Sequence, residues 1–61
     1  MFMPEFIRVK GEGNEDLVIK ASSIVWFGSD DSKITTLFIE GGKSFNILDT
    51  VDSVYDMLLA R

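Results

Sequence analysis

The sequence contains no cysteine and no histidine, and only one proline, Pro4. Without cysteine there are no disulfides. Without either residue the chain lacks the usual ligands of zinc, copper and iron and the usual partners of nucleophilic catalysis. Positive charge is also scarce, with six Lys and Arg against ten Asp and Glu, a net charge of −4 at pH 7. A surface that neutralises many phosphates needs clustered cations, so this balance argues against nucleic-acid binding. No apolar run approaches the ~20 residues of a membrane span. The opening MFMPEFIRVK lacks the basic start, long apolar core and small-residue cleavage site of a secretory signal. A cytoplasmic protein with no membrane contact is the expectation.

Sixty-one residues, 46% of them hydrophobic, describe one small folded domain and not a disordered tail. A domain of this size hides only about 60% of its unfolded surface, and backbone ordering opposes folding by roughly 1–2 kcal/mol per residue. Small domains commonly offset this with disulfides, a metal or self-association. Only self-association is open to this composition.

The periodicity predicts an α+β fold: a small antiparallel meander of four to five strands, either a sheet or a partly closed barrel, ending in one α-helix. EFIRVK alternates, with Ile7 and Val9 on one face and Phe6, Arg8 and Lys10 on the other. The turn formers GEGNED lead to a second strand, LVIKA. Ser22-Ser23 marks a bend or bulge before a third strand, IVWF. ITTLFIE and KSFNIL flank Gly41-Gly42, which suits a two-residue hairpin turn pairing Glu40 with Lys43, Phe38 with Phe45 and Thr36 with Ile47. In LDTVDSVYDMLLAR, Val51, Val54, Tyr55, Leu58 and Leu59 fall on one helical stripe. Asp49 or Thr50 can cap that helix; Asp52 and Arg61 suit its dipole.

Ile24-Val25-Trp26-Phe27 conflicts with this plan. Strict alternation sends two large apolar side chains to each face, and one short helix covers only part of one face. Phe2, Met3 and Phe6 add apolar area from the N-terminal arm, and Leu37, Ile39 and Leu48 back the Phe38 face. Large exposed apolar patches mark interaction surfaces. Self-association is therefore expected, most simply a two-fold dimer formed by sheet packing or by pairing of edge strands. The candidate interface residues are Trp26, Phe27, Phe6, Phe2, Leu37 and Ile39; the competing role of each is ordinary core filling.

No residue is assigned to catalysis, to a cofactor or to a metal. The serines fall in turns, strands and the helix. GEGNED lacks the spacing of a phosphate loop and joins two strands, and DDSK lacks a calcium-loop spacing. Every carboxylate lies in a turn, at a strand end or on an exposed helix face, whereas acid–base work needs a cleft. A non-enzymatic bacterial or phage accessory protein acting through protein–protein contacts, as a homo-oligomer, is the leading expectation. Two alternatives are an acidic inhibitor that binds a basic, nucleic-acid-binding protein through Asp30, Asp31, Glu12, Glu15, Asp16 and the helix acids, and a small barrel that stacks single-stranded nucleic acid on Trp26, Phe27 or Phe38.

ITTLFIEGGKSFNILDTVDSVYDMLL also resembles the C-terminal half of the small FlbD-type flagellar proteins. There, a hydrophobic strand runs into a glycine turn, a second strand, an acidic-plus-hydroxyl pair and a short helix. Gly42, Phe45 to Leu48, Asp49-Thr50 and Val54 occupy those places, and Ala21 and Ile24 match a small-residue-then-isoleucine step. Lys20, the extra turn glycine and Trp26-Phe27 depart from the pattern. The resemblance implies a hairpin, a helix and an interaction role, with no catalytic residues.

Overall fold

A computed structural model describes residues 4–30 and 33–59, with strands close to the positions the sequence predicts. Phe2, Met3, Asp31 and Arg61 lie outside the described residues. In chain order the elements are β1 (Phe6–Lys10), β2 (Asp16–Lys20), a 3-10 turn (Ala21–Ser23), β3 (Ile24–Ser29), β4 (Thr35–Ile39), β5 (Lys43–Ile47) and α1 (Val51–Leu58). The fold is α+β, with five antiparallel strands in two sheets, β1-β2 and β3-β4-β5. The sheets do not close into a barrel.

The β1-β2 hairpin pairs Ile7 with Ile19 and Val9 with Leu17 on its inner face, and Arg8 with Val18 on its outer face. Lys10 and Asp16 close the pair beside the turn, with Lys10 Nζ 2.9 Å from Asp16 Oδ1. The Lys10 ammonium donates to the Asp16 carboxylate and attracts it, holding its pKa below the usual value. The pair therefore favours the folded state above the ordinary carboxylate range, and that contribution fades as pH falls through the lowered value. Both groups are solvent-exposed, so its weight is small.

Ser22-Ser23 makes the expected bend between β2 and β3, without a bulge. Ala21–Ser23 makes a 3-10 turn, with Ser23 Oγ donating to the Lys20 carbonyl at 2.7 Å and Ala21 buried. The bulge lies three residues further on. Ile24 pairs with Ile39 and Trp26 with the very next partner, Phe38, which leaves Val25 as the extra residue. Alternation is broken at that point: Ile24 and Phe27 both pack on the core, while Val25 and Trp26 project outward, 62% and 52% exposed. The four apolar residues are thus sorted two inward and two outward, in neither of the arrangements that strict alternation allows.

The second hairpin is also corrected by one residue. Its loop has three residues, Glu40-Gly41-Gly42, with both glycines at positive φ (90° and 81°), a conformation that favours glycine. Ile39 pairs with Lys43, Leu37 with Phe45 and Thr35 with Ile47. A one-residue change of register swaps the faces that meet. Here it brings Ile47 onto the Leu37 side, where both are fully buried, whereas the two-residue turn would have set Ile47 beside Thr36 and Phe38.

The core is Ile7, Val9, Ile19, Ala21, Leu37, Ile47 and Val54, drawn from both sheets and the helix. The first hairpin and α1 share this core with the inner face of the three-stranded sheet. A seam joins the sheets at one end. Gly11 bridges Ile47, Leu48 N–H donates to the Lys10 carbonyl at 2.7 Å, and Lys10 N–H donates to Asp49 Oδ1 at 2.7 Å.

Thr50 caps α1, its hydroxyl accepting from Ser53 N–H at 3.0 Å, and Asp52 stands in the first turn. Asp49 acts across the seam instead of as the cap. The buried stripe is Val54 flanked by half-buried Val51, Met57 and Leu58; Tyr55 and Leu59 are exposed.

Val25 makes a direct test of this description. Deleting it leaves Ile24 opposite Ile39 and Trp26 opposite Phe38 in an uninterrupted ladder, so the variant folds with an unfolding midpoint close to the parent's. It also smooths an edge strand, so the variant aggregates more readily, measured by light scattering during a thermal ramp. Loss of native circular dichroism would show that Val25 is not the spare residue.

Candidate functional site

The outer face of the three-stranded sheet is set by two cross-strand rows. Trp26, Phe38 and Ser44 form one, and Gly28, Thr36 and Asn46 the other. Trp26 and Phe38 stack, with ring centroids 4.0 Å apart and planes inclined by 19°. Such aromatic pairs gain about 0.5–1.5 kcal/mol beyond simple burial. The stack packs the indole against Phe38 and leaves about half of Trp26 in water.

Beside the stack lies a shallow, open concavity of about 350 Å³, lined by Trp26, Gly28, Ser29, Asp30, Thr36 and Phe38. Gly28 keeps it open. Its backbone is not left-handed, so the strand does not require glycine there, and a Cβ would stand 3.6 Å from the indole. Glycine inside a strand weakens it and often marks a place where another molecule approaches.

A polar relay crosses the same face. Thr36 Oγ1 donates to Asn46 Oδ1 at 3.1 Å, and Asn46 Nδ2 donates to Glu12 Oε1 at 3.4 Å. With its proton committed to Asn46, the Thr36 hydroxyl offers lone pairs towards the concavity. The register also gathers the Gly11–Glu15 turn, Ser29-Asp30 and Asp49 at one end of the molecule, so Glu12, Glu15, Asp16, Asp30 and Asp49 make that end acidic.

The outer face of the first hairpin is different. Phe6 pairs with Lys20 and Arg8 with Val18, so two exposed apolar residues alternate with two exposed cations. A second open concavity of about 410 Å³, between this hairpin and the helix, is lined by Pro4, Phe6, Ile7, Arg8 and Met57.

Of the expected interface residues, Trp26 and Phe6 are exposed on the outer faces of different sheets. Phe27 and Ile39 are half-buried against the core, and Phe2 lies outside the described residues. Leu37 is fully buried within the chain and fills the core, because the first hairpin covers its face. Sequence reasoning missed Gly28, Thr36 and Asn46; the unforced glycine two residues after Trp26 was the available signal.

Among the described residues, no group of three or more metal-ligating side chains converges, and no helix is long and apolar enough to cross a membrane. Comparisons with protein families, curated proteins and solved structures give no match to this chain.

Proposed function

We propose that this is a non-catalytic protein that works by protein–protein contact, through the open face around Trp26, with a second copy as its occupant. The supporting observation is the Trp26–Phe38 stack, held half-exposed beside Val25 on a sheet whose other face is already covered. Aromatic groups of this kind are typical anchors of interface cores. The bulge at Val25 interrupts the free edge of β3, which favours docking by the face over pairing by the edge.

Light scattering coupled to size-exclusion chromatography tests the reading. The parent runs as a dimer at high concentration, and Trp26→Ser runs as a monomer with unchanged far-UV circular dichroism. A parent that is monomeric at every concentration overturns self-association. It would leave the second reading, a basic partner docked on the acidic end that carries Glu12, Glu15, Asp30 and Asp49. Among the described residues no cation lines the Trp26 concavity, which disfavours nucleic-acid stacking there.

A further inference from the structure

We propose that two copies meet by the outer faces of their three-stranded sheets, about a two-fold axis that runs across the strands over the Phe27-Leu37-Phe45 row, so that each Trp26–Phe38 stack fills the hollow over Gly28 and Thr36 of the other. The proposal deepens the self-association reading and rests on it.

The register carries this arrangement. On either side of the inward row Phe27-Leu37-Phe45 stand two outward rows, Trp26-Phe38-Ser44 and Gly28-Thr36-Asn46. One holds both large rings; the other holds glycine, threonine and asparagine. An axis midway between these rows reverses strand direction and lays each strand over its own copy, with the sheets packed about 10 Å apart. It sets Trp26 on Gly28, Phe38 on Thr36 and Ser44 on Asn46, each contact made twice. Large side chains face small ones, and the concavity of about 350 Å³ beside each stack receives the stack of the other copy. The weakly positive ring edges suit the Thr36 lone pairs, and the Ser44 hydroxyl can donate to or accept from the Asn46 amide. An axis along the strands would instead set Phe38 on its own copy and Asn46 over Gly28, leaving the hollow without a ring.

Charge also selects a second copy. With a net charge of −4, two copies repel each other overall, so they need a neutral surface on which to meet. Every one of these outward positions is uncharged, whereas the outer face of the first hairpin carries Arg8, Lys10, Asp16 and Lys20.

A bump and a hole test the pairing. Gly28→Val fills the hollow; the backbone there is not left-handed, and the first added carbon lies in ordinary contact with the indole at 3.6 Å, so the fold is kept. Trp26→Ala removes the ring. Each variant alone should dimerise at least about tenfold more weakly than the parent in sedimentation equilibrium. Mixed in equal amounts, they recover Trp26 on Gly28 at one contact and set the new valine over the new alanine at the other, and native mass spectrometry should show the mixed dimer in excess over either homodimer. Raising salt should strengthen the parent dimer, because it screens the net repulsion and breaks no ion pair. Circular dichroism checks the fold of each variant, and Gly28→Ala repeats the test with a smaller loss if valine unfolds the chain. A parent dimer that the folded glycine variant leaves unweakened, a mixture in statistical proportions, or a dimer that salt dissociates overturns this arrangement while leaving self-association intact. A monomeric parent overturns both.

Discussion

Leu37→Ala is expected to unfold a large fraction of the molecules. Leu37 is fully buried in a core to which the first hairpin, the three-stranded sheet and the helix all contribute, and it stands at the centre of the β3-β4-β5 rows, opposite both Phe27 and Phe45. Truncating such a leucine removes its transfer free energy and leaves a cavity, at a cost of about 2–5 kcal/mol. At roughly 0.05–0.15 kcal/mol per residue, a chain of this length has only about 3–9 kcal/mol in total. The loss is therefore comparable with the whole stability. Urea unfolding monitored by Trp26 fluorescence should show the midpoint collapse for Leu37→Ala. Leu37→Met, which conserves volume, should shift it by less than about 1.5 kcal/mol. An unchanged midpoint for the alanine variant would mean that the two sheets do not pack as described.

Thr35→Val is expected to act in the opposite direction. Thr35 is buried opposite Ile47, and its hydroxyl has no hydrogen-bond partner among the described residues. Placing an unpartnered hydroxyl in an apolar interior costs about 1–3 kcal/mol, and valine replaces it with a methyl of similar size that the core can accept. The β-branch that suits the strand is kept. The urea midpoint of Thr35→Val should rise by a corresponding amount. Thr35→Ser, which keeps the hydroxyl and loses the methyl, should fall below the parent. If valine lowers the midpoint, the Thr35 hydroxyl is hydrogen-bonded in solution and the expectation fails.

The contrast between these two neighbours illustrates what the chain discloses in one dimension. Strand positions, the helix and the inward pair Ile7 and Val9 follow from period alone, because each depends on side chains a few residues apart. Register does not. Gly41-Gly42 is compatible with a two-residue or a three-residue loop, and the choice is decided by whether Ile47 can reach the Leu37 side of the sheet, which depends on a hairpin some 30 residues earlier. The same holds at Val25. Nothing within Ile24-Val25-Trp26-Phe27 identifies the spare residue; it is fixed by the need to put both Ile24 and Phe27 on a core whose other side is built by β1, β2 and α1. Leu37 was expected at an interface because its cover comes from a distant part of the sequence. For the candidate site, Trp26 was legible from its size and setting. Its surroundings were not, since Thr36, Asn46 and Glu12 come together only through the correct register.

The junction of Lys10 and Gly11 with Ile47, Leu48 and Asp49 spans most of the chain length, so the opening hairpin has nothing to rest on until the last strand has been made. Ile7, Val9 and Ile19 share their core with Leu37, Ile47 and Val54, so most of their cover comes from residues far along the chain, the kind of contact that slows folding. Removing β5 and the Leu48-Asp49 segment would thus take away the seam that holds the first hairpin as well as a strand of the second sheet.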